Sequence, residues 1–134
     1  VSATQFSAGD VLETQTFEIT RADLVAYASA SGDQNPIHQD EEIAESVGLP
    51  GVIAHGMLTL GLVARAVSQW TGGAEVVSLG AKFTSPVVVP AEGAAVLEVA
   101  ATVKAVTDGV ADLVLSVTCD GTKVLGMPKA AVRV

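Results

Sequence analysis

The hydrophobic period of this chain passes from helical to two near residue 75 and stays there, and that change sets the class of fold open to it. From Gly56 to Trp70 the sequence reads as a helix that is apolar nearly all round, carrying Leu58, Leu60, Leu62, Val63 and Val67 before Gly72-Gly73 ends it. A helix without a polar face has to be enclosed. Its apolar stretch, Met57 to Val67, falls short of the roughly 20 residues a bilayer span needs, and Gly61 and Arg65 interrupt it. Beyond this helix the period drops to two. Leu97, Val99, Ala101 and Val103 alternate with Glu98, Ala100, Thr102 and Lys104, and Leu113, Leu115, Val117 and Cys119 repeat the pattern. Asp108-Gly109 and Asp120-Gly121 are turn dipeptides after these runs, and a final strand is predicted from Lys123 to Val134. Val76–Phe83 is a further strand candidate, with Pro86 and Pro90 marking an edge or a crossover. About four consecutive antiparallel strands leave one apolar face uncovered, and the long helix is the cover. The pattern is α+β.

The first half supplies one more strand and two helices. Val11, Phe17 and Ile19 lie among Thr and Glu and predict a strand over 11–19. Thr20 and Asp23 form the reciprocal pair of a capping box. Leu24, Tyr27 and Ala28 follow on one helical face, and Ser31-Gly32 ends that helix. Asp40 to Val47 reads as a short helix with acidic residues in its first turn and Gly48 at its close, and Leu49-Pro50-Gly51 is a connector.

Hydrophobic residues make up 49% of the chain and charged residues 16%, which excludes disorder. Aromatics are only 4%, so the core is built from Val, Leu, Ile and Ala. The 134 residues are expected to form one domain, 1–134. A net charge of −8 argues against nucleic-acid binding, which needs a basic face. Arg21, Arg65, Lys82, Lys123 and Lys129 read first as scattered solvated charges, the alternative being a small basic patch for a phosphate-bearing ligand. Cys119 is the single cysteine, so no intrachain disulfide can form; it reads as inert packing in a reducing, cytoplasmic setting. Val1 to Asp10 has no basic-then-apolar signal pattern, and no membrane partner is expected.

The chemistry concentrates in Ser31-Gly32-Asp33-Gln34-Asn35-Pro36-Ile37-His38. Pro36 disfavours helix at Asn35, so Asp33 and His38 sit on a turn. A carboxylate and an imidazole held that close can share one water molecule. By itself Asp33 would be an ordinary turn residue, and His38 a surface or satisfied core histidine. Together, and followed by His55-Gly56-Met57 at a helix start, they suggest addition of water to a polarised carbonyl compound, or its reverse. Metal binding by Asp33, His38 and His55 is weighed and not adopted, because the reaction needs no metal and no dense ligand cluster is expected. Tyr27 and Trp70 read as core or interface aromatics.

The run Tyr27-Ala28-Ser29-Ala30-Ser31-Gly32-Asp33-Gln34-Asn35-Pro36-Ile37-His38 resembles the signature of the MaoC-like (R)-specific enoyl hydratases, or hydratase 2. Ala54-His55-Gly56-Met57-Leu58 and Lys82-Phe83-Thr84-Ser85-Pro86-Val87 are similar to that family as well. In length and motif the chain looks most like its actinobacterial (3R)-hydroxyacyl-carrier-protein dehydratase subunits. The stretch Val87 to Gly93 departs from the family's usual shorter Pro-Gly turn. The resemblance implies a hot-dog fold, a curved antiparallel sheet wrapped around one helix. It also implies reversible hydration of trans-2-enoyl thioesters to (3R)-hydroxyacyl thioesters, carried by coenzyme A or acyl carrier protein.

That reaction needs a base, an acid and an oxyanion donor. Carried onto this chain, His38 takes the proton of the attacking water. Asp33 orients that water and supplies the proton to C2, and the Gly56 N–H meets the thioester oxygen. Asn35 holds the loop or the water, His55 is structural or lines the substrate, and Met57, Leu60 and Val63 line an acyl tunnel. No cofactor is implied. Open sheet edges imply a dimer, either a homodimer or a heterodimer with another hot-dog subunit. Two readings stay open beside this one. A hot-dog thioesterase would be expected to place a carboxylate on the long helix, yet Met57 to Trp70 contains no Asp or Glu. A non-catalytic acyl-binding subunit would be expected to lack the acid–base pair.

Overall fold

A computed structural model describes residues 5–134. The reading of Val1 to Asp10 as free of a signal pattern therefore rests in part on residues 1–4, outside the described residues. Strand β1 runs Gln15–Ile19, shorter than the expected 11–19, because Val11 makes only an isolated bridge to Thr102. Helix α1, Arg21–Ser31, starts in the capping box: the Asp23 N–H donates to the Thr20 hydroxyl and the Thr20 N–H to the Asp23 carboxylate. Gly32 ends it in the left-handed region at φ 81°. Asn35 then caps a 3-10 turn, Pro36–His38. Helix α2, Glu41–Ser46, is capped by the Asp40 side chain. Helix α3, Gly56–Thr71, closes on left-handed Gly72.

The strands that follow are β2, Val76–Phe83, β3, Ala95–Thr107, β4, Val110–Cys119, β5, Thr122–Lys123, and β6, Leu125–Arg133. The expected single last strand is thus two, with Val124 between them. Asp108 and Gly109 both have positive φ, 51° and 76°, as a two-residue hairpin turn requires, and Thr107 faces Val110 across it.

The sheet is not the expected meander of consecutive strands. Its order is β1-β3-β4-β6-β2, with β5 beside β4. Strand β2 pairs with β6, and β3 lies three places away next to β1. The chain therefore crosses between sheet regions through residues 84–94. Pro86 and Pro90 lie in this connection, where no strand ladder demands their missing N–H groups. On the way Val89 N–H bonds to Val52 O at 2.9 Å and Ala54 N–H to Val87 O at 2.9 Å. These bonds lash the crossover to the segment that enters α3.

Alternate residues of β3 and β4 point inward. Leu97, Val99, Val103, Leu113 and Val117 are buried in one core with Val63, Ala66 and Val67 of α3. Enclosure of α3 is incomplete, contrary to its all-round apolar sequence. Met57 is 60% exposed, and Leu58, Leu60 and Leu62 are only half-buried. A single sheet wraps one side of a helix and leaves the other uncovered. Two bonds tie α3 to the segment around β1: Gln15 donates to Ala66 O at 2.9 Å, and Trp70 Nε1–H to Glu13 O at 2.7 Å. The result is a curved antiparallel sheet around one helix, the hot-dog arrangement.

Candidate active site

The loop after α1 and the N-terminus of α3 meet at one cleft of about 560 Å³. Asp33, His38, His55, Gly56 and Met57 all line it. The loop keeps its shape through its own side chains. Asp33 Oδ1 accepts the Asn35 N–H at 3.2 Å, and Asn35 Oδ1 accepts the Ile37 N–H at 3.2 Å. Asn35 thus spends its side-chain oxygen on the turn and is not among the residues lining the cleft.

His38 is buried, and its ring is fixed in plane and in tautomer. Nδ1 lies 2.7 Å from Ile53 O. A carbonyl can only accept, so Nδ1 carries the proton and Nε2 keeps a free lone pair. The same reasoning applies to His55, whose Nε2 lies 3.1 Å from Asp33 O and donates to it. His55 Nδ1 is buried and finds no hydrogen-bond partner among the described residues. The two imidazoles stack at 3.8 Å between centroids and 23° between planes. Tyr27 meets His55 edge-on at 4.8 Å. His55 therefore braces both members of the pair: it holds the Asp33 main chain and forms the floor under the His38 ring.

One ligand-type atom from each of Asp33, His38 and His55 falls within a common 4.8 Å. The expectation that no dense ligand cluster exists is thus corrected, because the fold brings His55 from seventeen residues away onto the Asp33–His38 turn. The same closeness suits proton exchange through a shared water.

Gly56 is the first residue of α3, and His55 before it offers no side-chain cap. The opening amides of a helix have no intrahelical acceptor, and the helix dipole adds positive character there. The N–H of Gly56 thus opens a helix end that lines the same cleft as His38.

The rest of the lining differs from the expected tunnel. Met57 contributes, whereas Val63 is fully buried in the core and Leu60 is not on the cleft. Only the first turn of α3 faces the opening; deeper turns face the sheet. The apolar wall comes instead from Phe83 at the end of β2, from Pro86 in the crossover, and from Val124 and Leu125 at the start of β6. Tyr27, read as a core or interface aromatic, is half-buried and lines the cleft. Phe83 stood in a recognised segment, yet nothing in the sequence placed its ring here. That follows from the β2–β6 pairing, which sets Phe83 opposite Leu125. Of the basic residues, Arg21 pairs with Glu41 at 3.1 Å and also donates to Val89 O. Arg65 lies over the Phe17 ring at 5.8 Å.

Fold and cleft together define a hot-dog protein in which Asp33 and His38 share one cleft with the opening turn of the central helix. The chain belongs to the family described as MaoC like domain, whose profile matches residues 4–118. It is similar to the mitochondrial 3-hydroxyacyl-[acyl-carrier-protein] dehydratase of Arabidopsis thaliana, with 41% identity over 87 residues, 64% of this chain and 51% of that protein. It is also similar to 3-hydroxyacyl-thioester dehydratase Y of Mycobacterium tuberculosis, with 40% identity over 51% of this chain and 25% of that protein. A solved structure titled MaoC-like dehydratase superposes with TM-score 0.92 at 39% identity, covering 96% of this chain and 40% of that one. The matches thus span about half the length of the plant relative and a quarter of the mycobacterial one.

Proposed function

We propose that the chain catalyses reversible hydration of trans-2-enoyl thioesters to (3R)-hydroxyacyl thioesters in fatty-acid metabolism, as a hydro-lyase. The observation that carries this reading is that Asp33 and His38 share one cleft with the opening amide of α3. His38 Nε2, freed by the Nδ1 bond to Ile53, takes a proton from water as its oxygen attacks C3. Electron density passes to the thioester oxygen, where the Gly56 N–H stabilises it. Asp33 enters this step protonated, orients the water and delivers its proton to C2; the proton left on His38 then passes back to Asp33 through a bridging water, which resets the pair, and dehydration reverses these steps. Acid–base assistance of this kind is worth about 10²–10⁴-fold in rate. The neighbouring walls from Met57, Phe83, Pro86, Val124 and Leu125 suit the acyl chain.

The substrate is carried by coenzyme A or acyl carrier protein. The working unit is a dimer, either with a second copy or with another hot-dog subunit, because β2 leaves Val76 and Val77 exposed along a sheet edge. No described helix is long and apolar enough to cross a membrane. A cytoplasmic setting is proposed from the lone, buried thiol of Cys119.

The test is to mix the purified protein, alone and co-expressed with a second hot-dog subunit, with a short trans-2-enoyl-CoA and follow loss of the enoyl absorbance. Formation of the (3R)-hydroxyacyl product is expected. No turnover in either preparation would overturn the reading.

A further inference from the structure

Gly56 does not need to be glycine for its backbone conformation, since it begins an ordinary helix and is absent from the positive-φ glycines. What excludes a side chain there is Phe83. A Cβ on residue 56 would lie 2.9 Å from Phe83 Cε1, 3.0 Å from Cζ and 3.2 Å from Cδ1. An entire ring edge therefore rests against the Gly56 Cα. Phe83 is nevertheless 58% exposed, an unusual position for a large apolar side chain at the last residue of an edge strand. It gains little burial there, and it lines the same cleft as His38 and His55.

We propose that Phe83 is a positioning residue for the reaction: its ring roofs the corner where the Gly56 N–H meets the thioester oxygen and keeps water from that amide. The inference rests on the hydratase reading and deepens it. An N–H aimed at a developing oxyanion gains strength as competing water is excluded and the local dielectric falls. The transition state carries more charge on that oxygen than the bound substrate does, so the roof acts on kcat more than on KM. Gly56 and Phe83 are then two halves of one device. The glycine gives the ring its seat, and the ring dries the glycine's amide.

The device predicts a specific non-additivity. The clashing atoms are the far end of an exposed, rotatable side chain, so a methyl at residue 56 pushes the ring aside and leaves the fold standing. Gly56→Ala and Phe83→Ala should each lower kcat by about tenfold, short of the ~10²–10³ lost when an oxyanion donor is deleted. KM should stay within about twofold of wild type in both. The double variant should be no slower than either single one, because the second change removes a roof already gone. Phe83→Leu, which keeps an apolar cover, should recover most of the rate.

The measurement is steady-state kinetics on trans-2-enoyl-CoA for wild type, the three single variants and the double variant, with thermal melts as a check on folding. Phe83→Ala with unchanged kcat, or with only a raised KM, overturns the proposal. Losses that multiply to about a hundredfold in the double variant also overturn it, since the residues then act independently. Wild type without turnover overturns the hydratase reading, and this one with it; an active wild type with an indifferent Phe83 overturns this one alone.

Discussion

At the scale of single residues, the pair makes different demands on stability and on catalysis. Asp33→Asn keeps a side-chain oxygen to accept the Asn35 N–H, so the loop should persist while the proton donor is lost. Turnover should fall by about 10²–10⁴-fold with the melting temperature nearly unchanged. His38→Ala should lose a similar factor and also cost about 1–3 kcal/mol, because the Ile53 carbonyl is left without its partner. Urea titration beside the enoyl assay separates the two effects. Cys119 makes a pH prediction. Burial first, and then the charge of Asp120 and a hydrogen bond to it, push its thiol above the ordinary 9.0. The folded chain therefore holds that proton more tightly than the unfolded chain. Stability from this group is intact below pH 9.0 and declines as pH rises toward the folded value. The melting temperature above pH 9 should fall more steeply in wild type than in Cys119→Ala, and native protein at pH 8 should resist iodoacetamide. Residue types and spacing made Asp33 and His38 legible in the sequence. The tautomer of His38 was not, since the carbonyl that fixes it is fifteen residues away and no local pattern announces it.

At the scale of elements, local chemistry had its clearest voice where an element begins or ends. The box at Thr20 and Asp23, the left-handed Gly32 and Gly72, and the Asp108-Gly109 hairpin were all readable, because each depends on residues within four positions. Thr20→Ala should accordingly cost about 1 kcal/mol, seen as a lower urea midpoint at unchanged slope. Leu113→Ala, at the centre of β4 and 1% exposed, should cost about 2–5 kcal/mol by the same measurement. Strand partners were less legible. Strand β2 was recognisable by composition, but its neighbour is β6, and its last residue thereby joins the cleft. Alternation tells which face of a strand is apolar; it carries no information about which strand lies beside it.

At the scale of the whole molecule, the uncovered side of α3 and the open edge at β2 should be used together in assembly. Light scattering is expected to give a mass of two hot-dog subunits, and Val77→Lys, which sets a charge on that edge, should shift it toward one. A dimer mass unaffected by the charge would place the contact elsewhere. What the sequence determined by itself was governed by short range: the α+β class, the helix and strand periods, the caps, and the turn that carries Asp33 and His38 with a glycine downstream. Only the tertiary structure decided that β2 crosses to β6, that His55 serves as floor to His38 and tether to Asp33, and that Phe83 sits on Gly56. Those contacts join residues 17 to 56 positions apart. They are settled by how a sheet closes around a helix, and periodicity along the chain records only which side of each element turns inward.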